Sequence, residues 1–211
     1  MSTAGIRSAA GGAERGHRAS GERRIRQILD AAVHVFGSGG STAVTHRAVA
    51  DAAGVPLGSM TYYFTDRTDL MRRTMQHAVE IEAERLTAIV AGFTGKPTVE
   101  TAVRLLTEMF FDKTVADPLY DLTLFEMFLE ATRNPAVRNL TLAWSEMIAD
   151  LTDRVLPPTD PAIPRATAVQ IVATLIDGLM LEETSNRALG LENLADRLCI
   201  VITRLTARLT P

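Results

Sequence analysis

A chain of 211 residues with 46% hydrophobic content and a mean hydropathy of +0.09 carries enough apolar material for one large core or two modest ones, which excludes disorder throughout. Its net charge of −3 conceals an asymmetry: residues 1–75 hold ten Arg against six acids, net +4, and residues 76–211 hold twelve Lys or Arg against nineteen acids, net −7, so a local polyanion-binding surface sits on an acidic body. No apolar run is long enough to span a bilayer, and the opening MSTAGIRSAAGGAERGHRAS lacks the apolar centre of a secretory signal, so a cytoplasmic protein without a membrane partner is expected.

Residues 1–18, rich in Gly, Ala and Ser with scattered Arg, read as a disordered tail, either a loose terminus or an arm that reaches a DNA groove. From Ser20 the pattern turns helical, with Ile25, Ile28, Leu29, Ala32, Val33 and Phe36 at spacings of three and four, until Gly37, Gly39 and Gly40 stop it. Two short helices follow, Thr45 to Ala53 and Pro56 to Tyr63, separated at Gly54. Thr65 or Asp66 then caps a long helix from Arg67 to about Ala91, ended by GFTGKPT. Beyond it, helices are expected near 98–115, 118–132, 135–156, 165–188 and 191–209, delimited by Asp117-Pro118, Asn134-Pro135, the linker LPPTDPAIP and Gly190. No segment alternates with the period of a half-buried strand, so the fold class is all-α. The expected domains are the tail 1–18, a helix-turn-helix domain 19–66 and a helical domain 67–211.

Two short helices joined by a tight turn are too short to be stable alone, so their packing exists to present the second helix. Val49, Ala50, Ala53, Val55, Met60 and Tyr63 fall where such a unit needs apolar or small side chains. Leu57, Gly58, Ser59 and Thr61 are then offered outward, small enough for the backbone to approach a groove. Thr45 and His46 open the first short helix, whose unpaired N–H groups favour a phosphate, and Arg47 adds charge; Thr45 serves equally as a plain N-cap. Tyr62 and Tyr63 each offer a hydroxyl to a phosphate oxygen, with one of them also suited to packing inside, and Arg67 is placed to clamp the adjacent DNA backbone.

The stretch TAVTHRAVADAAGVPLGSMTYYFTDRTDLM resembles the DNA-binding domain of TetR-type transcriptional regulators. The resemblance covers residues 23–75: the first helix ending in VFGSGG, the helix-turn-helix, the cluster YYF with its Asp66-Arg67 cap, and the leucine opening the fourth helix. Further on, LIDGL at Leu175 to Leu179 is similar to a segment of the family's penultimate helix. Thr61 departs from the pattern, standing where the family most often has an aromatic. The resemblance implies a homodimeric regulator of a palindromic operator in double-stranded DNA, with Thr45, Tyr62, Tyr63 and Arg67 near the DNA backbone and the start of PLGSMT, from Pro56, facing bases.

For the dimer interface the last two helices are the candidates. One stripe runs through Leu191, Leu194, Leu198, Val201, Ile202, Leu205 and Leu209, the other through Val169, Val172, Leu175, Ile176 and Leu179, with Gly178 permitting a close crossing. Completion of an intrachain core is the other use for the same stripes. On the last helix, within LCIVI, Cys199, the only cysteine, reads as a small buried hydrophobe, and neither metal nor cofactor is expected. In the middle helices Leu106, Met109, Phe110, Phe125, Phe128, Trp144 and Met147 suit either plain packing or the lining of a cavity for an apolar ligand. The resemblance implies the cavity: a small-molecule effector of unknown identity that releases DNA; by connectivity, the fourth helix is the expected lever. Neither a nucleophile motif nor ligand-spaced histidines support an enzyme. The alternatives kept open are a helical protein-interaction module and an activator using the same DNA surface.

Overall fold

The structure, a computed structural model, describes the backbone of residues 5–112, 118–186 and 190–206, and the side chains of 20–112, 118–135, 137–186 and 190–206. The described elements are helices: α1 (Gly5–Ala43), α2 (His46–Ala53), α3 (Leu57–Tyr63), α4 (Arg67–Ala91), α5 (Val99–Phe111), α6 (Pro118–Ala131), α7 (Pro135–Val155), α8 (Arg165–Asn186) and α9 (Gly190–Leu205). An isolated antiparallel bridge joins Thr159 and Thr206. No described helix is long and apolar enough to cross a membrane. The chain divides into two compact units, residues 1–77 and 78–211.

In the N-terminal unit, α1 starts earlier and ends later than its composition suggests. Its backbone is helical from Gly5, where a loose tail through residue 18 was expected; lengthening a helix that already exists needs no new nucleus, and Ala, Arg and Glu extend it well. Residues 1–4 lie outside the described ones. At the other end the glycines do not terminate the helix at once: a break at Gly40 (φ 70°, ψ −175°) is followed by a last turn to Ala43.

Thr45 caps α2 in extended conformation, its Oγ1 accepting the Ala48 N–H at 3.1 Å. Gly54 ends α2 in the left-handed region (φ 63°, ψ 38°), and the next N–H, of Val55, returns to the Ala50 carbonyl at 3.0 Å. Pro56 precedes α3 with φ −59°, already set for a helix start. Ile28, Val33 and Phe36 of α1, Val49 and Ala50 of α2, Met60 of α3 and Leu70 and Met75 of α4 are all buried. Each of the larger ones contributes about 1.5–3 kcal/mol of burial and Ala50 less than about 1 kcal/mol, and truncating Met60, the one fully buried residue of α3, is expected to cost about 2–5 kcal/mol.

The division between units falls after His77, inside α4, and not at residue 66. The first turns of α4 close the N-terminal core, and the His77 ring Nε2 lies 2.6 Å from Asp30 Oδ1 on α1. Asp66 caps α4 by accepting the Asp69 N–H at 2.8 Å, while Asp69 reaches back to the Thr65 N–H at 3.3 Å.

In the C-terminal unit α5 packs on α7, α8 and α9, α6 on α7 and α8, α7 on α8, and α8 on α9. From α4, residues Ala78, Glu82, Leu86 and Val90, four apart, are buried, and Glu82 is neutralised by Arg85 at 2.6 Å. Arg85 also donates to the Met109 carbonyl at 2.8 Å. The start of α8 is tied to the end of α7 by Arg165, which donates to the Asp153 carboxylate (2.6 Å) and to the carbonyls of Asp153 (2.5 Å), Leu156 (3.0 Å) and Pro157 (2.5 Å). The expected helix ends at 115, 188 and 209, and Leu209 itself, lie outside the described residues.

The stripes of α8 and α9 are corrected by their burial. Val172, Leu179, Leu194, Leu198, Ile202 and Leu205, expected at a dimer interface, are buried in the core of their own unit; Leu175 and Val201 are half-buried. The strongest apolar stripe of each helix faces the nearest hydrophobic mass, which here is the same chain. A Cβ placed on Gly178 would meet no atom within 4 Å, so no intrachain crossing needs that glycine. Cys199 is exposed, not buried.

Candidate nucleic-acid interface

Three side chains from other helices hold the carbonyls at the junctions of the N-terminal unit. Gln27 Nε2 of α1 donates to the Ala53 carbonyl at the end of α2 (2.8 Å). Arg73 of α4 donates to the Tyr63 carbonyl at the end of α3 (2.8 Å), its guanidinium 4.7 Å from the centre of the buried Phe64 ring. Arg67 donates from Nε to the Val44 carbonyl (2.9 Å) and from Nη2 to the Ser41 carbonyl. Arg67 was expected as a clamp on the DNA backbone, whereas two of its donor groups are engaged inside the protein. The partners lie 23 and 26 residues upstream, a pairing that no local pattern could disclose.

Held this way, α3 buries Met60 and turns the rest of its surface outward. Tyr62 is 82% exposed and Leu57 45%; Pro56, Gly58 and Thr61 are exposed, and Ser59 and Tyr63 half-buried. Gly58 has open space where a Cβ would stand, so its own fold does not require a glycine there, and the bare backbone is available to a close-approaching surface. The Thr61 hydroxyl donates back to the Gly58 carbonyl at 3.1 Å, which leaves it only acceptor capacity outward. The rings of Tyr62 and Tyr63 meet edge to face, 4.9 Å apart.

At the start of α2, Thr45 and Arg47 are exposed and His46 is half-buried, with its Nε2 atom enclosed and without a hydrogen-bond partner among the described residues. The Thr45 oxygen is used as the helix cap, and its proton is left to donate elsewhere. Apart from Arg67, the residues expected at DNA are thus exposed or half-buried, at the first turn of α2 and along α3. Gln27 and Arg73, which position these two helices, are missed by sequence reasoning because their partners are backbone atoms.

In the C-terminal unit Leu106, Met109, Phe110 and Trp144 are buried, and Phe125, Phe128 and Met147 half-buried. Among the described residues, surface concavities open along α5, α8 and α9, and these seven side chains do not line them. The exposed apolar surface of α8 and α9 includes Ile171 (42% exposed), Leu181 (54%), Leu191 (50%) and Ile200 (63%), and Ile200 lines a concavity with Leu175, Gly178 and Val201. Among the described residues no three His, Cys, Asp or Glu gather where they could hold a metal ion.

Residues 28–74 match the family model for bacterial regulatory proteins of the tetR family, and residues 97–208, more than half the chain, match that for the tetracyclin repressor-like C-terminal domain. The HTH-type transcriptional regulator BetI of Rhizobium meliloti is 28% identical over 173 residues, 78% of this chain and 80% of that protein. Among solved structures, the multidrug binding protein EbrR complexed with imidazole aligns at 28% identity and a TM-score of 0.63, covering 90% of this chain and 93% of that one. A regulator from Saccharomonospora viridis in complex with choline aligns with a TM-score of 0.73 over 89% of this chain and 99% of that one; at 21% identity it speaks for the fold alone.

Proposed function

The chain belongs to the tetR family, DNA-binding transcriptional regulators and not enzymes, and from that premise we propose that it is a ligand-responsive repressor that binds a palindromic operator as a homodimer in the cytoplasm. The observation that carries the DNA reading is α3: one buried anchor, Met60, and an outward face of Leu57, bare Gly58 and Tyr62. Pro56, Leu57, Gly58, Ser59 and Thr61 face base edges, and Thr45, His46, Arg47, Tyr62 and Tyr63 hold phosphates. Arg67 positions this surface.

One seven-residue helix reads too few base pairs to be selective, and two related by a two-fold axis read half-sites roughly 34 Å apart or a multiple of it. The apolar surface that α8 and α9 leave in water, at Ile171, Leu181, Leu191 and Ile200 with the half-buried Leu175 and Val201, supports pairing, since large exposed aliphatics mark an interface. The effector is an apolar small molecule admitted among Phe125, Phe128 and Met147, the half-buried members of the interior cluster. EbrR has been solved in complex with ethidium and with proflavin, whose flat aromatic rings suit a pocket of Phe and Met side chains. Linkage then requires DNA to weaken effector binding by the same factor as the effector weakens DNA binding.

The test is selection of bound fragments from genomic DNA, followed by titration at two salt concentrations. Several phosphate contacts predict a loss of roughly a hundredfold or more between about 50 and 200 mM salt, and a two-fold symmetric consensus. A salt-indifferent protein, or one that stays monomeric in sedimentation, would overturn the proposal.

A further inference from the structure

The positive charge of the N-terminal unit does not sit on the helix-turn-helix. Residues 1–26 carry Arg7, Arg15, Arg18, Arg23, Arg24 and Arg26 against Glu14 and Glu22, net +4, whereas residues 27–75 carry four Arg against four Asp, net zero. Of those later four, Arg67 and Arg73 donate to backbone carbonyls and Arg72 pairs with Asp69 at 3.0 Å, while Arg47 is exposed. Affinity for a duplex comes largely from phosphates neutralised by cations, so a helix-turn-helix with this balance is short of charge for its task.

The missing charge is carried on a rod. The backbone of α1 is helical from Gly5, and residues 5–26 extend about 33 Å at the usual rise per residue. None of the described residues from Ser20 to Gln27 is buried, with Arg23, Arg24 and Arg26 all exposed, and packing begins at Ile28. Gln27 donates to the Ala53 carbonyl, one residue before the Gly54 turn that leads into α3. The basic segment therefore leaves the core beside the turn that introduces the reading helix.

We propose that residues 5–26 form a second DNA contact, a helical arm whose arginines lie along the phosphate backbone next to the half-site read by α3. This inference rests on the DNA-binding reading above and adds the charge that the helix-turn-helix lacks. Cations on phosphates carry no base preference, so the arm raises affinity for every duplex, operator or not, by the same factor.

The test uses the full-length protein with the six substitutions Arg7→Gln, Arg15→Gln, Arg18→Gln, Arg23→Gln, Arg24→Gln and Arg26→Gln, glutamine being about as good a helix former as arginine. The parent and the variant are titrated with the selected operator and with a scrambled duplex between about 50 and 200 mM salt. If half of the arginines engage, two copies of the arm contribute about 5 to the logarithmic salt slope. The variant is expected to lose about that much slope and on the order of a hundredfold in affinity at about 100 mM salt, equally for both duplexes, so the ratio between them stays put. Lysine at the same six positions should restore the slope. A triple variant, Arg7→Gln, Arg15→Gln and Arg18→Gln, all upstream of the first buried residue, should lose about half as much with helical circular dichroism intact, which keeps the test decisive if the sixfold variant folds poorly. An unchanged slope, a loss confined to the operator, or tighter binding by the variant, which would seat the segment on the acidic C-terminal unit, would each overturn the proposal. A parent that binds neither duplex sinks the DNA reading and the arm together, whereas a parent that selects its operator and is matched by both Gln variants sinks the arm alone.

Discussion

Arg67→Ala separates two uses of one guanidinium. Its Nε and Nη2 donate to the Val44 and Ser41 carbonyls, and hydrogen bonds from a charged donor contribute about 1.5–3 kcal/mol. The Ser41 carbonyl is reachable by water once the side chain is removed, so that bond counts for little and the two together are expected to cost about 2 kcal/mol, close to the value of one such bond. Arg67→Lys retains the charge but not the fork, and should recover less than half of the loss. Urea unfolding followed by circular dichroism measures the stability. Binding to the selected operator at several salt concentrations measures the number of phosphates neutralised, each contributing about 0.9 to the logarithmic slope. Arg67→Ala is expected to unfold earlier and to bind with an unchanged slope. A variant of wild-type stability whose slope has dropped by about one would refute the reasoning and return Arg67 to the DNA backbone.

Gly54 sits in the left-handed region with nothing within 4 Å of a Cβ, so Gly54→Ala meets pure backbone strain and should cost about 1 kcal/mol or somewhat more in denaturant, with Gly54→Asn closer to wild type. Arg165→Ala removes four hydrogen bonds at the end of α7 and is expected to lower stability by about 2–3 kcal/mol, while Asp153→Asn, which touches only the exposed ion pair, should cost well under 1 kcal/mol by the same unfolding measurement. Partial desolvation by its neighbours raises the Asp177 carboxyl above its ordinary range, although the residue keeps solvent access that softens the effect. Ionised Asp177 therefore opposes folding: the effect is absent below the unfolded pKa, grows as pH climbs from that value through the raised one, and persists above it. Asp177→Asn should melt higher than the parent at pH 7 and at the same temperature at pH 3.

Where local chemistry decides an element, the sequence was sufficient. Thr45, Gly54, Pro56 and Asp66 each occupy the cap or turn position their side chains favour, and α2, α3 and α4 begin and end within a residue of expectation. Two kinds of information were hidden. The first is which of two apolar surfaces on a helix meets its own chain: periodicity located stripes on α8 and α9, but Val172, Leu198 and Ile202 went inward and the scattered Ile171 and Ile200 outward. The second is long-range pairing of a polar side chain with backbone, as for Gln27, Arg67 and Arg73, since every carbonyl is an equivalent acceptor on paper. Cys199 belongs to the first kind; its apolar neighbours in LCIVI alternate between faces of α9, and the thiol falls on the wet one.

The three carbonyl clamps have a regulatory corollary. With Gln27 fastening α2 to α1 and Arg67 and Arg73 fastening both the entry to α2 and the exit of α3 to α4, a pull on α4 drags the reading helix along as part of one block and cannot tilt it separately. An inducer acting through α4 would thus alter how long an operator stays occupied while the spelling of each half-site stayed the same.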